Sequence, residues 1–109
     1  LFITSIWGEV GASCEVAYSA VKGSQHSFIK ALAKEVAPSG IHVNGVSPGM
    51  ISTKMNAHLT KEDLQLIEED IPMQRSGRSE EVANVVSFLL SDKASYINGE
   101  IIRVNGAWY

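Results

Sequence analysis

A long predicted helix between two strand-like segments most constrains the fold of this chain. Residues 14–37 carry a helical pattern that Pro38 and Gly40 end. Apolar residues precede the helix at 1–4, and a second strand-like segment follows at 41–46. Short apolar runs of this kind are typical of strands buried on both faces of a parallel sheet. The sequence therefore predicts a βαβ unit with parallel strands and a right-handed crossover.

The predicted helix has apolar residues on two of its sides, and Ser13 is expected to cap its first turn. A helix that is apolar on two sides is buried on two sides. We expect one side to face the sheet and the other to meet another helix, within the full chain or across a subunit boundary. One stripe comprises Ala17, Val21, Phe28 and Leu32, and the other comprises Ile29, Ala33 and Val36.

The segment 50–78 is mixed and polar, and we expect it to form a mobile cover over a site. Thr60 and Asp63 have the spacing of a capping box, which predicts a short helix near 60–69.

The C-terminal segment predicts a helix and a strand. Ser79 is expected to cap a buried helix at 80–90. A turn at 98–99 and a third strand at 100–104 follow. The elements together predict an α/β fold with at least three parallel strands.

Composition excludes several functional classes. The 109 residues are 45% apolar and 19% charged, with a net charge of −3, and their basic residues are dispersed. We therefore expect one core, no nucleic-acid partner and no membrane partner. A lone Cys14, expected to pack inside, cannot form an internal disulfide, which favours a cytoplasmic location. The chain opens in an apolar run without Met, so we expect it to be part of something longer.

Tyr18 and Lys22 carry the chemistry that the sequence predicts. Residues four apart lie on one face of a helix. Two opposite unit charges ~5 Å apart at an effective dielectric of ~20 attract by roughly 3 kcal/mol. A nearby ammonium therefore stabilises the phenolate and makes it easier for the tyrosine to release its proton. Such a phenol can exchange a proton with an alcohol or carbonyl oxygen. Ser5, expected at the end of the first strand, can hold the same oxygen.

This arrangement closely resembles the active site of the short-chain dehydrogenase/reductase family, and the resemblance covers essentially all of the chain. It implies that Tyr18 exchanges the proton with substrate. It also implies that Lys22 assists Tyr18 and binds the nicotinamide ribose, while Ser5 fixes the substrate carbonyl. The implied fold is the C-terminal part of a doubly wound Rossmann-like domain with helices on both faces.

The segment 44–53 resembles a second signature of that family. The resemblance implies that its Pro-Gly turn, Pro48-Gly49, and the residues after it seat the nicotinamide carboxamide. Ile51 would contribute its backbone and Thr53 its hydroxyl. Glycine also suits a backbone that approaches a flat ring closely, and proline stiffens that approach.

The C-terminal residues are similar to those of bacterial 3-oxoacyl-[acyl-carrier-protein] reductases, although Asn105 and Ala107 replace a usual Asp and Gly. The implied activity is reduction of a ketone in fatty acid biosynthesis by a cytoplasmic homodimer or homotetramer that uses NADP or NAD. The glycines of residues 1–109 form no G-x-x-x-G-x-G pattern for a cofactor diphosphate, so we expect this to be a catalytic half without its cofactor-binding half.

The sequence also raises three alternatives. The resemblance also fits a dehydrogenase of another small alcohol or sugar, and the chain alone could be a non-catalytic packing or oligomerisation unit. Residues 45–49 match the G-x-S-x-G elbow of a hydrolase. However, Pro48 stands where that elbow needs an amide donor, and no acid followed by a His lies after Ser47. The spacings of His26, His42 and His58 match no metal site, and we expect His26 on an exposed helix side.

Overall fold

A computed structural model describes residues 1–109 and contains a three-stranded sheet. Strand β1 spans Phe2–Ile3, β2 spans Gly45–Pro48 and β3 spans Ile101–Val104. β2 lies between the other two and is parallel to both. The predicted parallel sheet is therefore confirmed.

β2 begins later than the sequence pattern predicts. The N–H of Val43 donates to Oδ1 of Asn98 at 2.7 Å, and Nδ2 of Asn44 donates to the carbonyl of Ile97 at 2.8 Å. These side-chain bonds connect Val43 and Asn44 to the turn before β3, so the two residues do not form the start of the strand. His42, expected to lie near the start of this strand, is exposed and precedes it.

Four α-helices accompany the sheet. α2 and α3 have the predicted positions, and α3 begins with the predicted capping box between Thr60 and Asp63. α1 lies between β1 and α2, where the sequence pattern predicts no helix. The helices are α1 (Trp7–Val10), α2 (Val16–Val36), α3 (Lys61–Asp70) and α4 (Ser79–Leu89).

Helices cover both faces of the sheet, as the resemblance implied. On one face, Ile29 and Ala33 of α2 are buried against Val43. On the other face, Leu89 of α4 is buried against Val46 of β2. The central strand is therefore enclosed by two helices, which leaves its carboxyl end as the edge on which a site can form.

Two predictions about α2 need correction. Ser13 does not cap the helix, because α2 begins at Val16 and the capping position belongs to Glu15, which makes no side-chain capping bond. The expected burial of both apolar stripes is found for only one. Val21 is 59% exposed and Phe28 is 52% exposed, so a partner for the second stripe stays a prediction.

Two details of α4 also differ from expectation. Ser79 is its first helical residue, and Arg78 takes the capping position. The carboxylate of Glu81 accepts the Arg78 N–H at 2.7 Å, which satisfies one free donor of the first turn. Leu89 is buried as expected, but Phe88 and Leu90 are exposed, and neither belongs to the core cluster around Val46.

Candidate active site

Ser5 lies just after β1, at the carboxyl edge of the sheet. It is 7% exposed, and its Oγ accepts a hydrogen bond from the N–H of Trp7 at 3.2 Å. The N–H of Ile6 donates to the carbonyl of Pro48 at 3.2 Å. The backbone pairing thus continues beyond β1 and places Ser5 beside the Pro-Gly bend.

Tyr18 and Lys22 lie one turn apart near the beginning of α2. The Nζ atom of Lys22 is 5.7 Å from the centroid of the Tyr18 ring, within the range of a cation–π contact. The same ammonium donates to the carbonyl of Ile3 at 2.9 Å. Ile3 ends β1 two residues before Ser5, so Lys22 ties the helix turn that carries Tyr18 to the strand end that carries Ser5.

The bend after β2 is closely packed against the end of β3. The N–H of Gly49 donates to the carbonyl of Val104 at 3.0 Å. A Cβ atom at Gly49 would lie 2.9 Å from Cα of Asn105, closer than real side chains come. Glycine is therefore needed here for packing against β3, whether or not a ligand approaches the bend.

Backbone pairing and a side chain fix the segment after the bend. Residue 51 pairs in parallel with Gly77, and the carbonyl of Ile51 accepts from Nδ2 of Asn56 at 2.7 Å. The N–H of Ile51 donates to no backbone carbonyl. Thr53 is exposed, and its hydroxyl makes no bond to the short helical turn that follows. Sequence reasoning missed the role of Asn56, for which no motif exists.

Two concavities, of about 280 and 430 Å³, lie at opposite ends of the strands. The first includes Met50 beyond the carboxyl ends of β2 and β3, and the second includes Leu1. Neither is lined by Ser5, Tyr18 or Lys22. The arrangement of those three residues therefore identifies the candidate site.

Side-chain bonds anchor the segment that was expected to cover the site. Oε1 of Glu68 on α3 accepts from both the N–H and the hydroxyl of Ser76, at 2.8 and 2.6 Å. The Ser76 hydroxyl, followed by its N–H, lowers the pKa of Glu68. Arg75 donates two bonds to the carboxylate of Glu81 at the start of α4. The mobility of the cover stays a prediction.

Glu81 is expected to make stability depend on pH in acid. Hydrogen bonds from Arg75 and then from the Arg78 N–H lower the pKa of Glu81 from 4.5 to about 2. Because the pKa is lower in the folded state, the carboxylate stabilises the fold above about pH 4.5, and that contribution is lost as the pH falls towards 2. The difference in Tm between wild type and Glu81→Gln should therefore shrink across this range. A difference that stays constant would contradict this account.

Two side chains near the site were wrongly placed by sequence reasoning. His26 is 9% exposed, not on an outer helix side, and its burial lowers the pKa of the imidazole. Cys14, expected to pack inside, is exposed with a φ of 64°. A polar residue at a sheet-facing helix position gives no sequence signal of burial, which explains the error on His26.

The structure shows no metal site and no membrane-spanning helix. No group of three His, Cys, Asp or Glu side chains is placed to hold a metal ion. None of the helices combines the length and the apolar character needed to cross a bilayer.

Comparison with known proteins adds independent information. The family profile described as enoyl-(acyl carrier protein) reductase matches residues 1–108. An uncharacterized oxidoreductase, YmfI of Bacillus subtilis, is 55% identical over 107 residues, which are 98% of this chain and 44% of that protein. The 3-oxoacyl-[acyl-carrier-protein] reductase FabG of Aquifex aeolicus is 50% identical over 107 residues, which are 98% of this chain and 43% of that protein.

A solved structure agrees with these sequence matches. It is a putative 2-deoxy-d-gluconate 3-dehydrogenase from Agrobacterium tumefaciens with bound NADP, with a TM-score of 0.93 and 36% identity over 97% of this chain and 44% of that one. This chain thus spans less than half the length of the proteins it matches. The family match and the shared parallel fold show that the chain belongs to the short-chain dehydrogenase/reductase family.

Proposed function

We propose that residues 1–109 form the catalytic part of an NAD(P)-dependent oxidoreductase that reduces a ketone to a secondary alcohol. The observation that carries the proposal is the position of the Lys22 ammonium. It lies 5.7 Å from the Tyr18 ring centroid and 2.9 Å from the carbonyl that ends β1. A proton donor, a fixed cation and the Ser5 hydroxyl thereby share one edge of the sheet.

The bend after β2 fits the nicotinamide end of a cofactor. The Ile51 amide, which donates to no backbone carbonyl, can donate to the carboxamide oxygen. The Thr53 hydroxyl, exposed two residues further on, can accept from the carboxamide nitrogen. Pro48 and Gly49 hold this backbone against β3. A nicotinamide bound here would supply the hydride, and NADP is the cofactor proposed because it is bound in the Agrobacterium tumefaciens relative.

Three residues of the chain are proposed to orient the substrate carbonyl and to supply its proton. Ser5 donates a hydrogen bond to the substrate carbonyl and orients it. Tyr18 gives its proton to the same oxygen as the carbonyl carbon becomes tetrahedral, so the product leaves as a neutral alcohol. Lys22 holds the Tyr18 ring in place, stabilises the phenolate that remains and contacts the cofactor ribose.

The proposed substrate is a 3-oxoacyl thioester carried by acyl carrier protein, used in fatty acid biosynthesis. The Aquifex aeolicus reductase supports this choice through 50% identity over nearly the whole chain. A homodimer or homotetramer in the cytoplasm is part of the same proposal. The second candidate is oxidation of a small alcohol or sugar, which the name of the Agrobacterium tumefaciens structure favours.

Substrate preference separates the two candidates. The natural polypeptide that contains these residues should oxidise NADPH in the presence of a 3-oxoacyl thioester. The kcat/KM for the thioester should exceed the kcat/KM for each member of a panel of sugars and polyols by at least about tenfold, equivalent to ~1.4 kcal/mol. The sugars and polyols are assayed with NADP and with NAD. A preference for a polyol would favour the second candidate. Absence of turnover with every substrate would contradict the proposed function.

A further inference from the structure

The short helix α1 (Trp7–Val10) determines the orientation of Ser5. Its first N–H donates to Oγ of Ser5 at 3.2 Å, and the N–H of Gly8 donates to the carbonyl of Ser5 at 2.9 Å. A rotation or shift of α1 would therefore move the Ser5 hydroxyl. Four residues make barely one helical turn, so tertiary contacts must hold α1 in place.

One such contact joins α1 to the turn of α2 that carries Lys22. A Cβ atom at Gly8 would lie 2.7 Å from the backbone carbon of Lys22 and 2.9 Å from the nitrogen of Gly23. The two helices thus touch backbone to backbone. This contact limits how close α1 can come to α2, but it does not hold α1 against the sheet.

An ion pair supplies the attachment to the sheet. The Glu9 carboxylate accepts hydrogen bonds from Nε of Arg103, at 2.7 Å, and from Nη2 of the same guanidinium. The Glu9 side chain is 18% exposed, and the bonds from Arg103 lower the pKa of its carboxyl. Both bonds reach the same carboxylate oxygen, Oε2. Glu9 is therefore attached to β3 through Arg103.

Aromatic packing also attaches α1 to the segment after β3. The Trp7 ring centroid lies 5.1 Å from that of Trp108 and 5.8 Å from that of Tyr109. Ser47, opposite Arg103 in the sheet, is fully buried, and its hydroxyl also contributes to the lowered pKa of Glu9. The Glu9–Arg103 pair is the charged attachment that joins α1 to β3 itself.

We propose that Glu9 and Arg103 are positioning residues, which fix α1 on β3 and thereby hold the Ser5 hydroxyl in line with Tyr18. This inference rests on the proposed function, since it assigns the pair a role in that reaction. A displacement of about 1 Å in a positioned group can reduce a rate by up to ~10²-fold. The Ser5 hydroxyl is the group displaced when the pair is lost.

Kinetics of the natural polypeptide containing these residues test the proposal. Glu9→Gln should lower kcat for ketone reduction by about tenfold or more and leave the KM for NADPH within about twofold. In a Ser5→Ala background the same change should lower kcat by less than about twofold, because the group that it positions is already gone. The exchanged pair Glu9→Arg with Arg103→Glu should recover much of the lost kcat. Glu35→Gln, on the exposed far end of α2, is the matched control.

Equal losses in the wild-type and Ser5→Ala backgrounds would overturn the proposal, because they would show a general structural effect. An unchanged kcat in Glu9→Gln would also overturn it.

Hydrogen exchange of backbone amides distinguishes this inference from the proposed function. Glu9→Gln should accelerate exchange at the N–H groups of Trp7 and Gly8, which bond to Ser5, whatever reaction the protein catalyses. If exchange accelerates but the wild type reduces no ketone, the proposed function fails and the attachment of α1 by the ion pair stands. Unchanged exchange at both amides would refute the attachment itself.

Discussion

Replacing Tyr18 by Phe is expected to lower the kcat for ketone reduction by about 10²–10⁴-fold, the usual contribution of a positioned general acid. The change removes only the hydroxyl that carries the transferred proton. The ring remains, so Lys22 can keep its contact with the aromatic face and its bond to the carbonyl of Ile3. Cofactor affinity, measured by NADPH fluorescence titration, should stay within about threefold, equivalent to ~0.7 kcal/mol.

Tyr96→Phe is the matched control for this experiment. Tyr96 is fully exposed, so removal of its hydroxyl should leave kcat unchanged. Full activity in Tyr18→Phe would show that the proton comes from another group. An equal loss in both variants would point to a general effect of the substitution.

Replacing Ile29 by Ala is expected to lower the free energy of unfolding by about 2–5 kcal/mol, as found for large-to-small changes in protein cores. Ile29 is 0% exposed and belongs to the core between α2 and the sheet. Its Cδ1 atom occupies the space above Gly45, where an added Cβ atom would lie 2.8 Å away. Neither the helix nor the central strand can easily close the resulting cavity.

Urea denaturation of the natural polypeptide measures this loss. Leu66→Ala on α3 provides the control, because Leu66 is 65% exposed and its truncation should cost no more than about 0.5 kcal/mol. Similar losses in the two variants would contradict the view that the contact of α2 with the sheet is a principal source of stability.

Much of the fold could be predicted because its signals are local in sequence. The pattern of α2 and its termination near Pro38 define the crossover, and Thr60 with Asp63 marks the start of α3. The parallel sheet follows from a long helix between two strands. The start of β2 could not be predicted, because Asn98 takes the N–H of Val43 from 55 residues away.

The short helix α1 was not predictable for a related reason. It contains a glycine in only four residues, so its local helix propensity is weak. Contacts with α2 and an ion pair to Arg103, 94 residues from Glu9, stabilise it instead. Sequence spacing carries no signal for such a pair.

The candidate site was partly accessible from the sequence. The spacing of Tyr18 and Lys22 predicts that they share a helix face, and the structure places them in contact. The bond from Lys22 to Ile3 and the position of Ser5 beside Pro48 are tertiary features that spacing does not reveal. Family resemblance indicated the role of Ser5, whereas the ion pair that anchors its helix was visible only in the structure.

A crystal structure of the natural polypeptide bound to NADP and a ketone substrate would test the proposed roles of Tyr18 and Ser5. We expect the substrate carbonyl oxygen to lie about 2.6–3.2 Å from both the Tyr18 hydroxyl and Oγ of Ser5. We also expect the nicotinamide carboxamide to lie against Ile51 and Thr53. A substrate carbonyl bonded to neither hydroxyl, or a nicotinamide away from the bend after β2, would contradict these roles.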